Sequence, residues 1–151
     1  MIKHFSWLKL SVLFFMVAPY PVVATELVLP FCDKGNEQTQ AEQRQAVVSS
    51  MRTYYKNREL DGLKQFYSVS LHQPLQDFID SVLLKMDATH YQRDFVAVDY
   101  IFLEEIYLPN NRWRLHYRVK GVRAHSYNYT IELICERGRY RIEKESMGSA
   151  I

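Results

Sequence analysis

The hydrophobic period of this chain changes near Asp87, and that change limits the fold more than any other feature of the sequence. Beyond it, residues Arg112–Lys120 alternate strictly between apolar and polar side chains, as in a strand with one buried face. Strand patterns also cover 95–108, 127–136 and 139–144, with turn sequences before the second and last of the four. Strands joined by short connections pair antiparallel, so we predict a meander sheet of about four strands.

Before Asp87 the apolar residues recur at helical spacing. They lie three or four positions apart within 40–58, 60–67 and 74–86, which places them on one face of each segment. Pro74 suits the first position of a helix, where its missing N–H removes no bond. Helices followed by antiparallel strands indicate an α+β domain. We predict three helices packed on a curved sheet, with the first and third on its concave side, because helices and sheet each need a partner for an apolar face.

The amino-terminal segment, residues 1–24, has the organisation of a secretory signal peptide. Lys3 and Lys9 are basic, 10–18 is apolar apart from one serine, and small side chains lead up to a predicted cleavage site after Ala24. We therefore expect the protein to be exported and to be periplasmic or secreted.

A retained membrane anchor is the alternative for this segment. A helix that spans a bilayer needs roughly 20 apolar residues, whereas 8–24 is shorter and contains Lys9 and two prolines. We expect no stable membrane span after cleavage. What remains is then a lead-in at 25–39 and a single α+β domain at 40–151.

Two cysteines, Cys32 and Cys135, follow the predicted signal. A lone pair in an oxidising compartment usually forms a disulfide. The strand register turns Cys135 inward, so the bridge would tie the lead-in to the sheet. Two buried free thiols are the alternative. The spacing fits neither a CxxC redox motif nor a zinc site.

The charge balance argues against one class of function. The chain has 19 Lys and Arg against 17 Asp and Glu, and residues 1–24 hold two of the lysines and no acid. The exported part is therefore neutral when its histidines are uncharged. Nucleic-acid-binding proteins carry a basic footprint, so we expect no nucleic-acid partner.

The most localised surface feature is a row of basic side chains on the polar face of the strand Arg112–Lys120, which we call the basic row. Its members are Arg112, Arg114, His116, Arg118 and Lys120. The row predicts either a docking strip that steers an acidic partner or a solvated outer face. In the second case acids of neighbouring strands neutralise it. Those acids are Glu132, Glu136 and Glu143.

The segment 54–68, YYKNRELDGLKQFYS, resembles the end of the first helix and the second helix of NTF2-like (nuclear transport factor 2-like, cystatin-like α+β) domains. In that superfamily an acidic residue, often with a glycine, follows the first helix, and a short helix then ends in an aromatic. The matching residues are Asp61, Gly62, Phe66 and Tyr67. The order of helices and strands agrees over 40–144, but the short strand usual before the third helix is not evident at 69–71.

The resemblance implies a conical pocket between sheet and helices. Enzymes of this shape use a carboxylate or a histidine in an apolar hollow, often with tyrosine as a donor. Asp99 is the acid that lies within an apolar strand segment, and an outward or edge position is the alternative for it. Tyr54, Tyr117 and Tyr129 are candidate pocket-lining hydroxyl donors or, alternatively, ordinary core residues. The superfamily includes isomerases, dehydratases, binding modules and secretion-machine parts, so fold alone does not decide function.

Sequence motifs of other chemistries are missing. The histidines form no HxxxH or HxH pair, and no serine nucleophile motif or phosphate-binding glycine loop occurs. We expect no metal and no cofactor.

We therefore predict an exported, non-enzymatic binding or interaction module. Examples are an envelope or secretion-system accessory protein or an immunity-type inhibitor, whose partner is another envelope or secreted protein. The sequence leaves open whether two copies of the protein form a homodimer. The alternative is a small-molecule-binding protein, or an isomerase-like or dehydratase-like enzyme, that uses the apolar pocket.

Overall fold

The computed structural model describes residues 31–32, 35–121 and 126–150, with side chains up to 148. Within these residues, helices precede a four-stranded antiparallel sheet, which confirms the predicted α+β class and the predicted order. The predicted signal peptide and most of the lead-in lie outside the described residues, so cleavage and export stay predictions. In the described part of the chain, no helix has the length and apolar character needed to cross a membrane.

Helix α1, Glu37–Asn57, has a defined cap at each end. The Asn36 side chain accepts a hydrogen bond from the Thr39 amide at 2.9 Å, which satisfies one of the open donors of the first turn. The helix ends where Arg58 adopts a left-handed backbone with φ 59° and its N–H bonds to carbonyls of the last turn. The buried residues of α1 are Arg44, Val47, Val48, Met51, Arg52 and Tyr55.

Short helical segments follow α1 and cover one side of the sheet. They are a 3₁₀ helix at Leu60–Phe66, a 3₁₀ turn at Val69–Leu71, helix α2 at His72–Phe78 with a π-helical turn at Ile79–Leu83, and helix α3 at Ala88–Tyr91 with a π-helical turn at Gln92–Val96. A single parallel bridge joins Tyr67 to Ile142 of the sheet, between the first 3₁₀ helix and α2.

The predicted strand at 95–108 is wrong at its start, where the last of these helical segments lies. Phe95 and Val96 are helical, and the strand begins only at Asp99. The Phe95 ring stacks on Tyr55 and Tyr91, with ring centroids 5.6 and 5.0 Å away. This packing outweighs the apolar, β-branched run that predicts a strand there, since local strand preference depends on context.

The sheet is a meander whose strands pair in sequence order. The strands are β1 (Asp99–Leu108), β2 (Arg112–Lys120), β3 (Ser126–Glu136) and β4 (Arg139–Ala150). Asn110 and Asn111 have φ 64° and 51°, and Arg137 and Gly138 have φ 52° and 74°. Glu136 pairs with Arg139, so Arg137 and Gly138 form a two-residue hairpin turn, which requires such positive φ values because they match the twist of the strands. Leu108 pairs with Arg112, so the connection between β1 and β2 has three residues. The predicted alternation of β2 is confirmed, because its four apolar side chains are all buried.

Cys32 and Cys135 form the predicted disulfide, with their Cα atoms 5.8 Å apart. The Cys32 amide also donates a hydrogen bond to the Gly138 carbonyl at 3.1 Å. Bridge and hydrogen bond together fix the segment before α1 to the β3–β4 hairpin. Because the cysteines are 103 positions apart in sequence, the bridge restricts the unfolded chain strongly.

Candidate functional site

A pocket of about 350 Å³ opens between α1, the helical segments that follow it and the distal half of β4. Its wall is mostly aromatic and apolar. The residues of that wall include Met51, Tyr55, Phe78, Phe95, Tyr100 and Tyr129, and the charged residues are Arg52 and Glu145. Ligand pockets of roughly 300–1,000 Å³ with an apolar lining and a few placed polar groups are typical of small-molecule sites.

A β-bulge places Glu145 in this pocket. Ile142 and Lys144 pair with neighbouring residues of β3 instead of residues two apart, so β4 contains one extra residue between them. As a result Glu145 lies opposite Ile131, whose side chain is fully buried. Strict alternation from Ile142 would place Lys144 inside and Glu145 outside.

Two tyrosine hydroxyls hold the Glu145 carboxylate. Tyr129 donates to its Oε1 atom at 2.6 Å, and Tyr67 donates to the same atom at 2.9 Å. The Tyr67 hydroxyl also shares a hydrogen bond of 3.2 Å with the Tyr55 hydroxyl. These bonds fix the orientation of the carboxylate. The Oε2 atom has no hydrogen-bond partner among the described residues, so it can bind a group in the pocket.

Burial raises the pKa of Glu145, and the hydrogen bonds from Tyr129 and Tyr67 only partly oppose this. Glu145 is exposed as a residue because it borders the open pocket, while two tyrosine hydroxyls cover its Oε1 atom. Loss of water on that side of the carboxylate disfavours its charged form. Burial also raises the pKa values of Tyr67 and Tyr129, so both remain hydroxyl donors.

Arg52 is the cation of the pocket, and only 8% of its surface is exposed. Its guanidinium carbon lies 3.3 Å from the centroid of the Tyr100 ring, a close cation–π stack. It donates one hydrogen bond to the Val98 carbonyl at 3.2 Å. Among the described residues, no carboxylate forms an ion pair with it. Arg52 is thus a buried charge with unused donors beside an apolar cavity.

A second hollow of about 310 Å³ adjoins the first beneath α2. Tyr55, Phe78 and Glu145 line both hollows. Glu145 therefore lies in the wall that the two cavities share.

The predicted pocket tyrosines occupy three different environments. Tyr129 lines the pocket and bonds to Glu145. Tyr117 is buried in the sheet core, with its ring centroid 6.2 Å from that of Tyr100. Tyr54 packs edge-on against Phe66 at 5.0 Å and lines a separate surface depression. The structure thus brings Tyr129 to the site and leaves Tyr54 outside it.

Asp99 is exposed at the first position of β1, outside this pocket. With Lys56 it lines a shallow depression of about 270 Å³ that Arg52 also borders. The carboxylate in the wall of the apolar pocket is that of Glu145 in place of Asp99.

One half of the basic row is paired with acids. Arg114 binds a single oxygen of Glu132 through two nitrogens, at 2.7 and 3.0 Å. Arg112 lies 3.9 Å from the Glu132 carboxylate and 3.7 Å from that of Glu143. This half has the arrangement of a neutralised outer face.

The other half of the row is different. His116 shares a hydrogen bond of 3.2 Å with the Thr130 hydroxyl. Arg118 and Lys120 are exposed, and no ion pair reaches either of them within the described ranges. The positive charge that remains accessible on β2 is therefore concentrated at its carboxyl end.

Metal-site geometry does not occur in the described part of the chain. No three His, Cys, Asp or Glu side chains there come together as a metal ion would require.

Sequence reasoning missed both charged residues of the pocket. Arg44, Val48 and Arg52 are spaced by four, so both arginines fall on the stripe of α1 that faces the core. That spacing is a usable signal for Arg52. No comparable sequence signal identifies Glu145, because it lies beyond the predicted end of the last strand and a bulge moves its side chain to the opposite face of the sheet.

Comparison of the chain with family models, with curated proteins and with solved structures found no match.

Proposed function

We propose that this protein is an exported NTF2-like binding module and that its pocket takes a small amphipathic organic molecule. The order of elements supports the NTF2-like part of the proposal, since helices are followed by a meander sheet. The bridge between Tyr67 and Ile142 adds support, because it lies where that superfamily has a short strand before its third helix.

Export is supported by two independent features. The first is the signal-like sequence of residues 1–24. The second is the disulfide between Cys32 and Cys135, a bond that persists in the periplasm and outside the cell but is rare in the cytosol.

One observation carries the binding proposal: the core is not filled at the Glu145 end. An aromatic pocket remains open there, with a carboxylate and a guanidinium in its wall and unused hydrogen-bonding capacity on both. Apolar walls with a few fixed polar groups give a ligand both affinity and orientation. The same carboxylate is the group that an isomerase-like or dehydratase-like reaction would use for proton transfer.

A screen of small amphipathic compounds by ligand-observed NMR tests this proposal. We expect hits whose binding is lost in Met147→Trp, because Met147 is exposed at the pocket wall and an indole there closes the opening. Ile106→Trp is the matched control, since Ile106 is a similarly exposed apolar residue on β1. Hits that survive Met147→Trp, or a screen without hits, would overturn the proposal.

A protein partner is the second candidate, and the unpaired end of the basic row favours it. Arg118 and Lys120 present accessible positive charge to an acidic surface of another envelope or secreted protein. Charge reversal of both residues should slow association with such a partner at low salt, as measured by surface plasmon resonance. Equal association rates of the reversed variant and the native protein at low salt would exclude this docking role.

A further inference from the structure

The guanidinium of Arg52 is a buried charge that the described protein does not neutralise. Arginine stays protonated at all physiological pH values. A charge removed from water is unfavourable unless it is paired and hydrogen-bonded. Arg52 is 8% exposed and has one described acceptor, the Val98 carbonyl. The fold therefore holds a cation with unused hydrogen-bond donors at the wall of its pocket.

The geometry of Arg52 is suited to binding a planar anion. The Tyr100 ring covers one face of the guanidinium, with 3.3 Å between the guanidinium carbon and the ring centroid. Stacking of this kind fixes the plane of the group and leaves its N–H edge available. Two parallel N–H donors on that edge match the two oxygens of a carboxylate.

The other charged residue of the pocket has different needs. Glu145 already accepts hydrogen bonds from Tyr67 and Tyr129. Those two hydroxyl donors partly meet the hydrogen-bonding need of its carboxylate, whereas Arg52 has one carbonyl acceptor. Arg52 is therefore the less satisfied charge of this pocket.

We propose that Arg52 binds the carboxylate of an organic acid whose apolar chain or ring occupies the pocket. This inference rests on the proposed small-molecule function and assigns the chemical class of its ligand. Met51, Phe78 and Phe95 provide the apolar contact for the chain or ring. The Tyr100 ring orients the Arg52 guanidinium by stacking on it and brings no charge of its own to the anion.

Calorimetric titration of the disulfide-bonded protein with four matched compounds tests the inference. Octanoate, octanol and octylamine share one apolar chain and differ in the head group, while acetate has the head group alone. We expect octanoate to bind about tenfold to a hundredfold more tightly than octanol, as a charge-assisted, two-point hydrogen bond allows. Acetate should bind more weakly than octanoate by at least that factor.

Variants of Arg52 separate the carboxylate contact from the apolar pocket. Arg52→Met should reduce the affinity for octanoate to that for octanol and leave the affinity for octanol unchanged. Arg52→Lys keeps the charge without the planar fork and should give an intermediate affinity. Arg118→Met is the matched control, since Arg118 is an exposed arginine on the outer face of the sheet. Circular dichroism checks that each variant is folded.

Each other outcome decides against the inference. Equal binding of octanol and octanoate, or octanoate binding that persists in Arg52→Met, removes the role of Arg52 while the small-molecule function stands. Tightest binding of octylamine assigns the ligand to Glu145 instead. Equal binding of acetate and octanoate removes the apolar contact. Failure of all four compounds to bind overturns this inference together with the proposed function on which it rests.

Discussion

Two buried arginines on α1, Arg44 and Arg52, lie at opposite ends of one interior. They are eight residues apart, or about 12 Å along the helix axis. Arg44 is fully buried and binds both oxygens of Glu105, at 2.9 and 2.5 Å. It also donates to Glu37 at 2.8 Å and to the Tyr140 hydroxyl at 3.1 Å. Arg52 has one carbonyl acceptor and an aromatic ring.

The two arginines have different roles: Arg44 stabilises the fold, whereas the guanidinium of Arg52 is available to bind a ligand. Burial alone lowers the pKa of Arg44, but hydrogen bonds from its guanidinium to Glu105 and Glu37 outweigh this and raise it. The Arg44 guanidinium carbon also lies 4.7 Å from the centroid of the Trp113 ring, so that end of the interior is closed. The Arg52 end is open and retains unused donors. The same residue type on one helix thus closes the core at one end and offers a binding group at the other.

Replacing each arginine by methionine gives the largest expected effect and tests the comparison directly. Arg44→Met should lower the free energy of unfolding by about 3–5 kcal/mol, because it leaves Glu105 partly buried without its partner. Arg52→Met should be neutral or stabilising, because it removes an unpaired buried charge. Urea denaturation of both variants measures the difference. Similar losses in the two variants would show that Arg52 is as structural as Arg44.

The disulfide gives the next largest effect and belongs to the closed end. The Tyr140 hydroxyl lies 3.4 Å from the Cys32 carbonyl, so the bridge and the Arg44 cluster share a residue. Cys135→Ser should lower the free energy of unfolding by about 2–5 kcal/mol. Ligand binding at the open end should persist at temperatures where the variant stays folded.

Thermal denaturation and mass spectrometry under non-reducing conditions check the prediction for Cys135→Ser. Native protein with two alkylatable thiols would contradict it. So would a Cys135→Ser variant that is as stable as the native protein but has lost the pocket, because the two ends of the interior would then not be independent.

The sequence predicts the closed end of the interior better than the open end. Trp113 and its alternating neighbours on β2 follow a strict period of two, and Cys32 and Cys135 are the two cysteines of the chain, so local pattern and counting suffice. Glu145 lies after a bulge, and a single inserted residue reverses every later side chain. Phe95 is helical because of ring stacking with Tyr55 and Tyr91, a tertiary contact that no local pattern contains.

The open end should also make stability depend on pH through Glu145. The pKa of Glu145 is raised in the folded state by burial, so the folded protein binds a proton there more tightly than the unfolded chain, in which this pKa is near 4.5. The free energy of unfolding should therefore fall as the pH rises from the pKa of the unfolded state through the pKa of the folded state. The tyrosines that face the carboxylate, Tyr55, Tyr67, Tyr100 and Tyr129, have raised pKa values and stay neutral in this range.

Glu145→Gln should remove this loss, because an amide does not ionise. Urea midpoints measured between about pH 4 and pH 8 test the sign of the effect. Glu104→Gln, at an exposed position of β1, is the matched control and should retain the dependence of the native protein. A native protein that gains stability over this range through Glu145 would show that the tyrosine hydrogen bonds outweigh burial.

The smallest effect is expected on the outer face, where the comparison of paired and unpaired arginines recurs within the basic row. Arg114→Met should lower the free energy of unfolding by about 1–3 kcal/mol, because Glu132 is 5% exposed and loses its closest cation. Arg118→Met should change it by less than about 0.5 kcal/mol, as exposed substitutions usually do. Trp113→Ala, which removes a buried side chain next to Arg114 in sequence, should cost about 3–5 kcal/mol and gives a reference for the size of these losses. A stability loss for Arg118→Met equal to that for Arg114→Met would mean that the carboxyl end of the row is a structural part of the sheet, and Arg118 would then no longer qualify as an accessible charge for a partner.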